Sequence, residues 1–372
     1  MLKMDRKNKA GTYFFTFLLG DSISGNNIFL SFLFLFSFIS CRRDYAIPEE
    51  KVTPPLYGIS FNVPQGWPQP VYDFTGNPLT TEGFELGRKL FFETRLSKDN
   101  SISCGTCHQQ FAAFANSAHD VSHGIYGLLG TRNAPGLFNQ NWLPSFMWDG
   151  GINHLEIQPF APITNPIEMD ETMSGVIAKL RADANYRAMF QRAFGDTAVN
   201  SQRIFKAFAQ FMGMLVSSNA KYDKVMRGEP GNVFTADEQA GYNLFQAKNC
   251  TSCHVPPLFS DFSFRNNGLA VNPVYNDSGR AHITGSASDR FKFKVPSLRN
   301  VEVSSPYMHD GRFQSLSQCL DHYSNGIVSH STLDQLLSSG ISLSTQEKNQ
   351  LIAFLKTLTD REFLSDPRFQ SP

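Results

Sequence analysis

Two five-residue units, CGTCH at Cys104–His108 and CTSCH at Cys250–His254, constrain this chain more than any other feature. Each sets two thiols three positions apart with an imidazole immediately after the second. That pattern reads as covalent attachment of a c-type haem: each thiol adds to a porphyrin vinyl group, and the histidine binds iron from one face. A zinc site would draw its ligands from converging pairs and needs no fixed histidine after each pair. A thioredoxin-type redox pair needs no histidine at all. Two attachment units imply two haems, and the 34 phenylalanines fit thick apolar walls around large cofactors.

The N-terminus bears on the compartment. Residues 28–39, IFLSFLFLFSFI, form an uncharged apolar run preceded by Lys3, Arg6, Lys7 and Lys9. The run is too short to span a bilayer comfortably and has the length of a signal-peptide core. It ends in FISC, so Cys41 follows a small residue in the manner of a bacterial lipoprotein site, although Phe38 stands where Leu is usual. An uncleaved anchor and ordinary cleavage nearby are the alternatives; each reading exports the rest of the chain. In an oxidising compartment six cysteines would be tested first as disulfides. Here Cys41 belongs to the signal, Cys319 is alone, and the other four occupy the two CxxCH units. Acidic and basic side chains balance at 33 each, which gives no electrostatic reason to expect nucleic-acid binding.

Residues 1–41 are therefore expected to be a lipoprotein-type signal, and the proline-rich residues 42–78 a tether with an extended lead-in. The stretch TEGFELGRKLFF (81–92) precedes the first CxxCH, and TADEQAGYNLF (235–245) precedes the second. Superposing Gly87 on Gly241 also superposes Thr81 on Thr235, Leu90 on Leu244 and Phe91 on Phe245. This internal duplication predicts two short amphipathic helices, each leading into an attachment loop, with Thr235 and Glu238 forming a capping box. Ile204, Phe208, Phe211 and Leu215 mark another helical face, as do Val176, Leu180, Tyr186 and Phe190 within 172–194. Ser344 and Glu347 cap a final helix whose face is Leu351, Phe354, Leu355 and Leu358. Long alternating strand patterns are absent. The expected fold is all-α: two cytochrome c-like helical domains, 79–230 and 231–372, meeting near the turn at 228–231, each with one covalently bound haem.

Between and after the attachment units stand GTRNAPGLFN (130–139), FMWDGGINHLEIQPFAPITNPIEM (146–169) and FKVPSLRNVEVSSPYMHDGRF (293–313). Together these closely resemble the bacterial di-haem cytochrome c peroxidase family, including its MauG-type members, over about residues 80–360. The resemblance implies that the first haem is peroxidatic and that Glu168, in NPIEM, is the catalytic glutamate. A carboxylate there can take a proton from bound peroxide and pass it to the leaving oxygen. It also implies that Gln158 orients peroxide, that Pro162 lines the pocket and that Trp148 lies between the haems. His123 stands where many members carry a distal histidine that blocks the resting iron. Two residues inserted before Arg132 loosen that match, and His119 competes for the role. The family's WDGR is WDGG here, so an arginine expected at Gly151 is missing.

Counting from His309, Tyr323 falls where the second haem takes its sixth ligand, methionine in ordinary members and tyrosine in MauG-type ones. Met308 is a nearby rival, but it sits in the PYxHxG motif, where the family's residue is not a ligand. A phenolate favours oxidised iron, whereas a thioether favours the reduced state. A calcium ion between the domains would take Asn133 and the carbonyls of Ser304 and Pro306. The resemblance thus predicts an exported peroxidase, lipid-anchored on the periplasmic side, that reduces hydrogen peroxide with electrons from a small cytochrome c or copper protein. Oxidation of side chains on a partner protein is the alternative, supported by Tyr323. A non-enzymatic di-haem electron carrier is the third reading, and it would not need Gln158, Pro162 and Glu168.

Overall fold

The computed structural model describes residues 59–372, which lie within one compact unit running from Pro55 to the C-terminus. The signal, the lipidation site at Cys41 and most of the tether fall outside the described residues. Residues 59–80 precede the first helix without helix or strand, turning at 65–66 and 75–76. Among the described residues the chain is mainly helical, its named strands being the antiparallel pair Phe264–Arg265 and Phe293–Lys294. No described helix is long and apolar enough to cross a membrane.

The duplication seen in the sequence is a duplication of helix crossings. Helix Thr81–Phe91 packs on Ser201–Gly213, and helix Ala236–Ala247 packs on Thr345–Lys356. Gly87 and Gly241 occupy the two crossing points. A Cβ on Gly87 would run into the Ala207 carbonyl, and one on Gly241 into the Gln350 carbonyl. Each glycine therefore permits backbone-to-backbone approach, which explains its recurrence in the repeat. The copies differ at their starts. Thr235 caps its helix through the predicted box with Glu238, whereas the first copy is capped by Thr80, whose hydroxyl accepts from the Gly83 amide at 3.0 Å.

Two apolar cores follow. The first holds Phe84, Phe91, Phe114, Phe190, Phe208 and Phe211, and the C-terminal Phe363 and Phe369 return to pack on it. The second is built on Tyr222, Phe245, Phe259, Leu351, Phe354 and Leu358. The helix ends at Gly213, so Leu215, expected on its face, joins the first core from just beyond it, and Tyr222 already lies in the second; the apolar interior therefore changes ahead of the turn at 228–231, where Gly228 and Gly231 take positive φ. The run 172–194 is two helices, Met173–Ala182 and Ala184–Phe194. Asp183 breaks them by leaving the helical region (ψ 120°) and accepting from the Asn185 amide. Val176, Leu180, Tyr186 and Phe190 are all buried as their spacing predicts.

Candidate functional site: a cavity holding both CxxCH units

The two attachment loops close in the same way. In the first, the His108 amide donates to the Cys104 carbonyl at 2.8 Å; in the second, the His254 amide donates to the Cys250 carbonyl at 2.9 Å. Each turn brings both thiols and the imidazole to one side. The histidines are oriented through Nδ1, which lies 2.7 Å from the Phe114 carbonyl in His108 and 3.2 Å from the Phe259 and Pro296 carbonyls in His254. Only a protonated Nδ1 can donate to a carbonyl, so Nε2 is left with its lone pair. Burial also lowers both imidazole pKa values and favours the neutral ring. This is the tautomer a metal-binding histidine needs, with its outer partner already in place. Cys104, Cys107, Cys250 and Cys253 are all free thiols.

All six of these residues line one cavity of about 1040 Å³, above the usual range for a single small-molecule pocket, about 300–1,000 Å³. Unbridged thiol pairs, oriented imidazoles and an apolar-walled cavity of this size fit two covalently held haems.

The same cavity is bordered by Gln158, Pro162, Glu168, His123, Trp148, Asn133, Ser304, Pro306 and Tyr323, so it gathers the residues singled out from sequence. Burial raises the Glu168 carboxyl pKa, and Asn165, donating to its Oε1 at 3.1 Å, pulls it back down. The main chain around Glu168 is pinned as well: its carbonyl accepts from the Ile125 amide at 2.8 Å. His123 and His119 stack face to face with ring centroids 3.9 Å apart. His123 borders the cavity while His119 is exposed, which separates the two rivals by position. Trp148 donates its indole N–H to the Asn133 carbonyl at 2.9 Å, and the Asn133 side chain donates to the Asp120 carbonyl at 3.1 Å. Asn133 keeps Oδ1 as its acceptor.

Around the second CxxCH, burial pushes the Tyr323 phenol up to about 12, opposed by a hydrogen bond from Asn267. Tyr323 lies on the π-type turn His322–Gly326, after helix Leu316–Asp321. Met308 also borders the cavity, with its backbone in the left-handed region (φ 72°).

Several features of the site were not legible as such in the sequence. Arg132 pairs with both Asp149 and Asp277 at 2.6 Å and ties the WDGG segment to a distant loop. Beside Gly150 lies Arg280, which donates to the Asp149 carbonyl at 3.0 Å and covers the Phe264 ring at 3.9 Å. A guanidinium from elsewhere in the chain thus stands against the turn that lacks its own. Lys294 borders the cavity, where burial brings its ammonium down to about 7, and its Nζ donates to the Ser145 carbonyl at 2.6 Å. His309 lies flat on Phe293 at 3.7 Å, and burial lowers its imidazole to about 4. Asn165 could have been read from the NPIEM motif, three positions before Glu168. The other contacts join segments far apart in sequence and have no local signal.

Comparison with known proteins agrees with this geometry. The profile of the family described as di-haem cytochrome c peroxidase matches residues 81–231. The chain is 36% identical over 303 residues to the methylamine utilization protein MauG of Methylorubrum extorquens, covering 80% of this chain and 83% of that protein. It is 34% identical over 310 residues to the cytochrome c551 peroxidase of Nitrosomonas europaea, covering 82% and 86% respectively. Among solved structures, a MauG-like protein associated with microbial copper homeostasis superposes with a TM-score of 0.77 at 33% identity. That match covers 85% of this chain and 99% of the other.

Proposed function

The chain belongs to the di-haem cytochrome c peroxidase family, and we propose that it reduces hydrogen peroxide to water with electrons from a small exported redox protein. The observation that carries this reading is the convergence of Glu168, Gln158 and Pro162 on the cavity that holds both CxxCH units. The haem irons supply the peroxide-binding position and the one-electron chemistry.

In this reading Cys104, Cys107 and His108 would hold the peroxidatic haem, and Cys250, Cys253, His254 and Tyr323 would hold the second. Glu168, as the carboxylate, takes the proton from the peroxide oxygen that stays and returns it to the oxygen that leaves. Two electrons from the donor and two further protons from solvent complete two waters. Asn165 holds the carboxylate in place, and the Gln158 amide orients the peroxide. His123 borders the first haem's pocket and is the candidate distal histidine. Trp148 lies on the path between haems. Asn133 Oδ1 and the carbonyls of Ser304 and Pro306 form the proposed calcium site, with water completing the shell. The two haem-bearing halves correspond to residues 79–230 and 231–372. Export to the periplasmic side and a lipid anchor at Cys41 follow from the N-terminal sequence.

A second reading, oxidation of side chains on a partner protein, is favoured by Tyr323, because an anionic oxygen ligand steadies oxidised iron. The test is turnover by the holoprotein, after mass measurement of its haem content, with peroxide and a reduced small cytochrome. One peroxide consumed for each pair of donor electrons, without oxygen release, is expected. Donor oxidation no faster than in the absence of protein would refute the peroxidase reading.

A further inference from the structure

The segment that leads from the tether into the first helix is fastened along the wall that carries Gln158. The Val71 and Tyr72 amides donate to the carbonyl of fully buried Asn141 at 2.8 and 2.9 Å, and the Trp142 indole donates to the Pro68 carbonyl at 2.8 Å. Tyr72 then reaches the short 3₁₀ turn Leu155–Ile157, which Gln158 directly follows. Its hydroxyl donates to Glu156 Oε1 at 3.0 Å and accepts from Asn77 Nδ2 at 2.8 Å. Its ring stands edge-on to His154 with centroids 5.8 Å apart, and His154 Nδ1 accepts from the Glu156 amide at 3.3 Å to cap the turn. The far end of this chain of contacts is rigid. Asn77 and Gln210 are each 2% exposed. Asn77 donates to the Lys206 carbonyl at 2.9 Å and accepts from Gln210 at 3.0 Å, both on helix Ser201–Gly213.

We propose that Tyr72 is a positioning residue for the peroxide reaction: through Glu156 and His154 it fixes the turn that sets Gln158 against the cavity. This rests on the reading that Gln158 orients peroxide. Leu155, 1% exposed, pins the turn from the core side, but Ile157 is 45% exposed. The outward hold therefore falls to His154 and Glu156, the two residues that Tyr72 touches. Among the described residues no hydrogen bond holds the Gln158 amide group itself, so the main chain beneath it decides where it points. The backbone bonds of Gln158 are local and long: its amide donates to the Leu155 carbonyl at 3.3 Å, and its carbonyl accepts from the Ala161 amide at 3.4 Å. Its placement thus depends on how the turn is seated. Replacing Tyr72 by Phe keeps the ring and removes only the hydroxyl, which releases Glu156 to solvent and slackens the turn. A slightly displaced orienting group slows a bound reactant without altering the haems themselves. The lead-in thereby belongs to the reaction site and is more than a spacer.

The experiment uses the di-haem holoprotein and a double-variant cycle of Tyr72→Phe, Gln158→Ala and the two together. Glu156→Gln, which keeps an oxygen acceptor, and Glu156→Leu, which removes it, accompany them. Rapid mixing with a range of hydrogen peroxide concentrations gives the rate constant of the peroxide step. Covalent haem by mass, haem spectra and urea midpoints are measured for each variant. Tyr72→Phe should slow the peroxide step at least about threefold, by less than Gln158→Ala does, since small misplacements of this kind cost up to about 10²-fold. Its haem content and spectra should stay those of the wild type. Glu156→Leu should match it, and Glu156→Gln should stay near wild type. In the Gln158→Ala background Tyr72→Phe should add little further slowing, although its stability cost persists. A structural role is felt in both backgrounds, a positioning role only where there is a glutamine to position. Equal slowing in both backgrounds, or none in either, while Gln158→Ala is slow, would overturn positioning by Tyr72 and leave the Gln158 reading standing. Gln158→Ala reacting as fast as wild type would overturn that reading and the inference with it.

Discussion

The Trp148 indole donates to the Asn133 carbonyl at 2.9 Å, and the Trp148 carbonyl accepts from the Lys294 amide at 2.8 Å. The tryptophan is therefore fixed at both ends, by the segment after the first CxxCH and by the strand after the second. In the proposed role of Trp148 on the path between the haems, an aromatic ring shortens the electron-transfer steps, and a rigid placement of this kind would serve it.

We predict that Trp148→Phe keeps both haems with near-normal spectra but slows oxidation of the second haem after peroxide is added. The lost hydrogen bond leaves the Asn133 carbonyl without its donor, a cost of about 1 kcal/mol at this half-buried position. Rapid-mixing absorbance gives the rate and urea unfolding gives the stability. An unchanged rate with the stability loss present would make Trp148 a packing residue only.

Attachment can be tested by mass alone. Cys104→Ala and Cys250→Ala should each yield a protein that has lost one haem when expressed with haem-attachment machinery. Two covalent haems persisting in either variant would contradict the assignment of that CxxCH unit.

The attachment loops, the duplicated helices and the capping boxes were legible because each is a local pattern: CxxCH, a glycine at a crossing, Ser344 three positions before Glu347. Glu168, Gln158 and Trp148 became legible only through family motifs, since an isolated acid or tryptophan carries no signature of its own. The break at Asp183 was missed because apolar spacing continues across it, and only the capping hydrogen bond to Asn185 ends one helix and starts the next. The contacts around the site, Asn267 to Met308 or Arg132 to Asp277, join positions tens to more than a hundred residues apart. No periodicity encodes such pairs. They follow from how two cores are set against one cavity.

Near the second haem site a buried ion pair holds the scaffold. Arg299 donates to both oxygens of Asp223, at 2.7 and 2.9 Å, and through Nε to the Pro257 carbonyl at 2.7 Å, beneath the Trp67 ring. Arg299 is 0% and Asp223 5% exposed. Removing one partner strands the other charge, so Asp223→Asn should cost roughly 3–5 kcal/mol. The double variant Asp223→Leu with Arg299→Met should cost less than Asp223→Asn alone, because no charge is left unpaired. Urea midpoints compare them, and a double variant weaker than the single one would show that the pair contributes more than mutual neutralisation.

The last prediction concerns the base. Positioned proton transfer is typically worth about 10²- to 10⁴-fold, so Glu168→Gln should slow peroxide turnover by that order with both haem spectra retained. The pH profile gives a finer test. In the proposed mechanism Glu168 acts as the carboxylate, so activity should be lost as pH falls through its pKa. Burial raises that pKa, which places the acid limb above the ordinary glutamate value of about 4.3. The Asn165 amide, 3.1 Å from Oε1, favours the charged form and holds the pKa lower than burial alone would. Asn165→Ala should therefore move the acid limb of kcat/KM to still higher pH, with turnover on the alkaline plateau much less affected. Asn165→Asp should move it further in the same direction, since a second carboxylate beside Glu168 opposes ionisation. An acid limb that stays in place in both Asn165 variants, or that survives unchanged in Glu168→Gln, would assign the titration to another group, with His123 the next candidate on the same wall of the cavity.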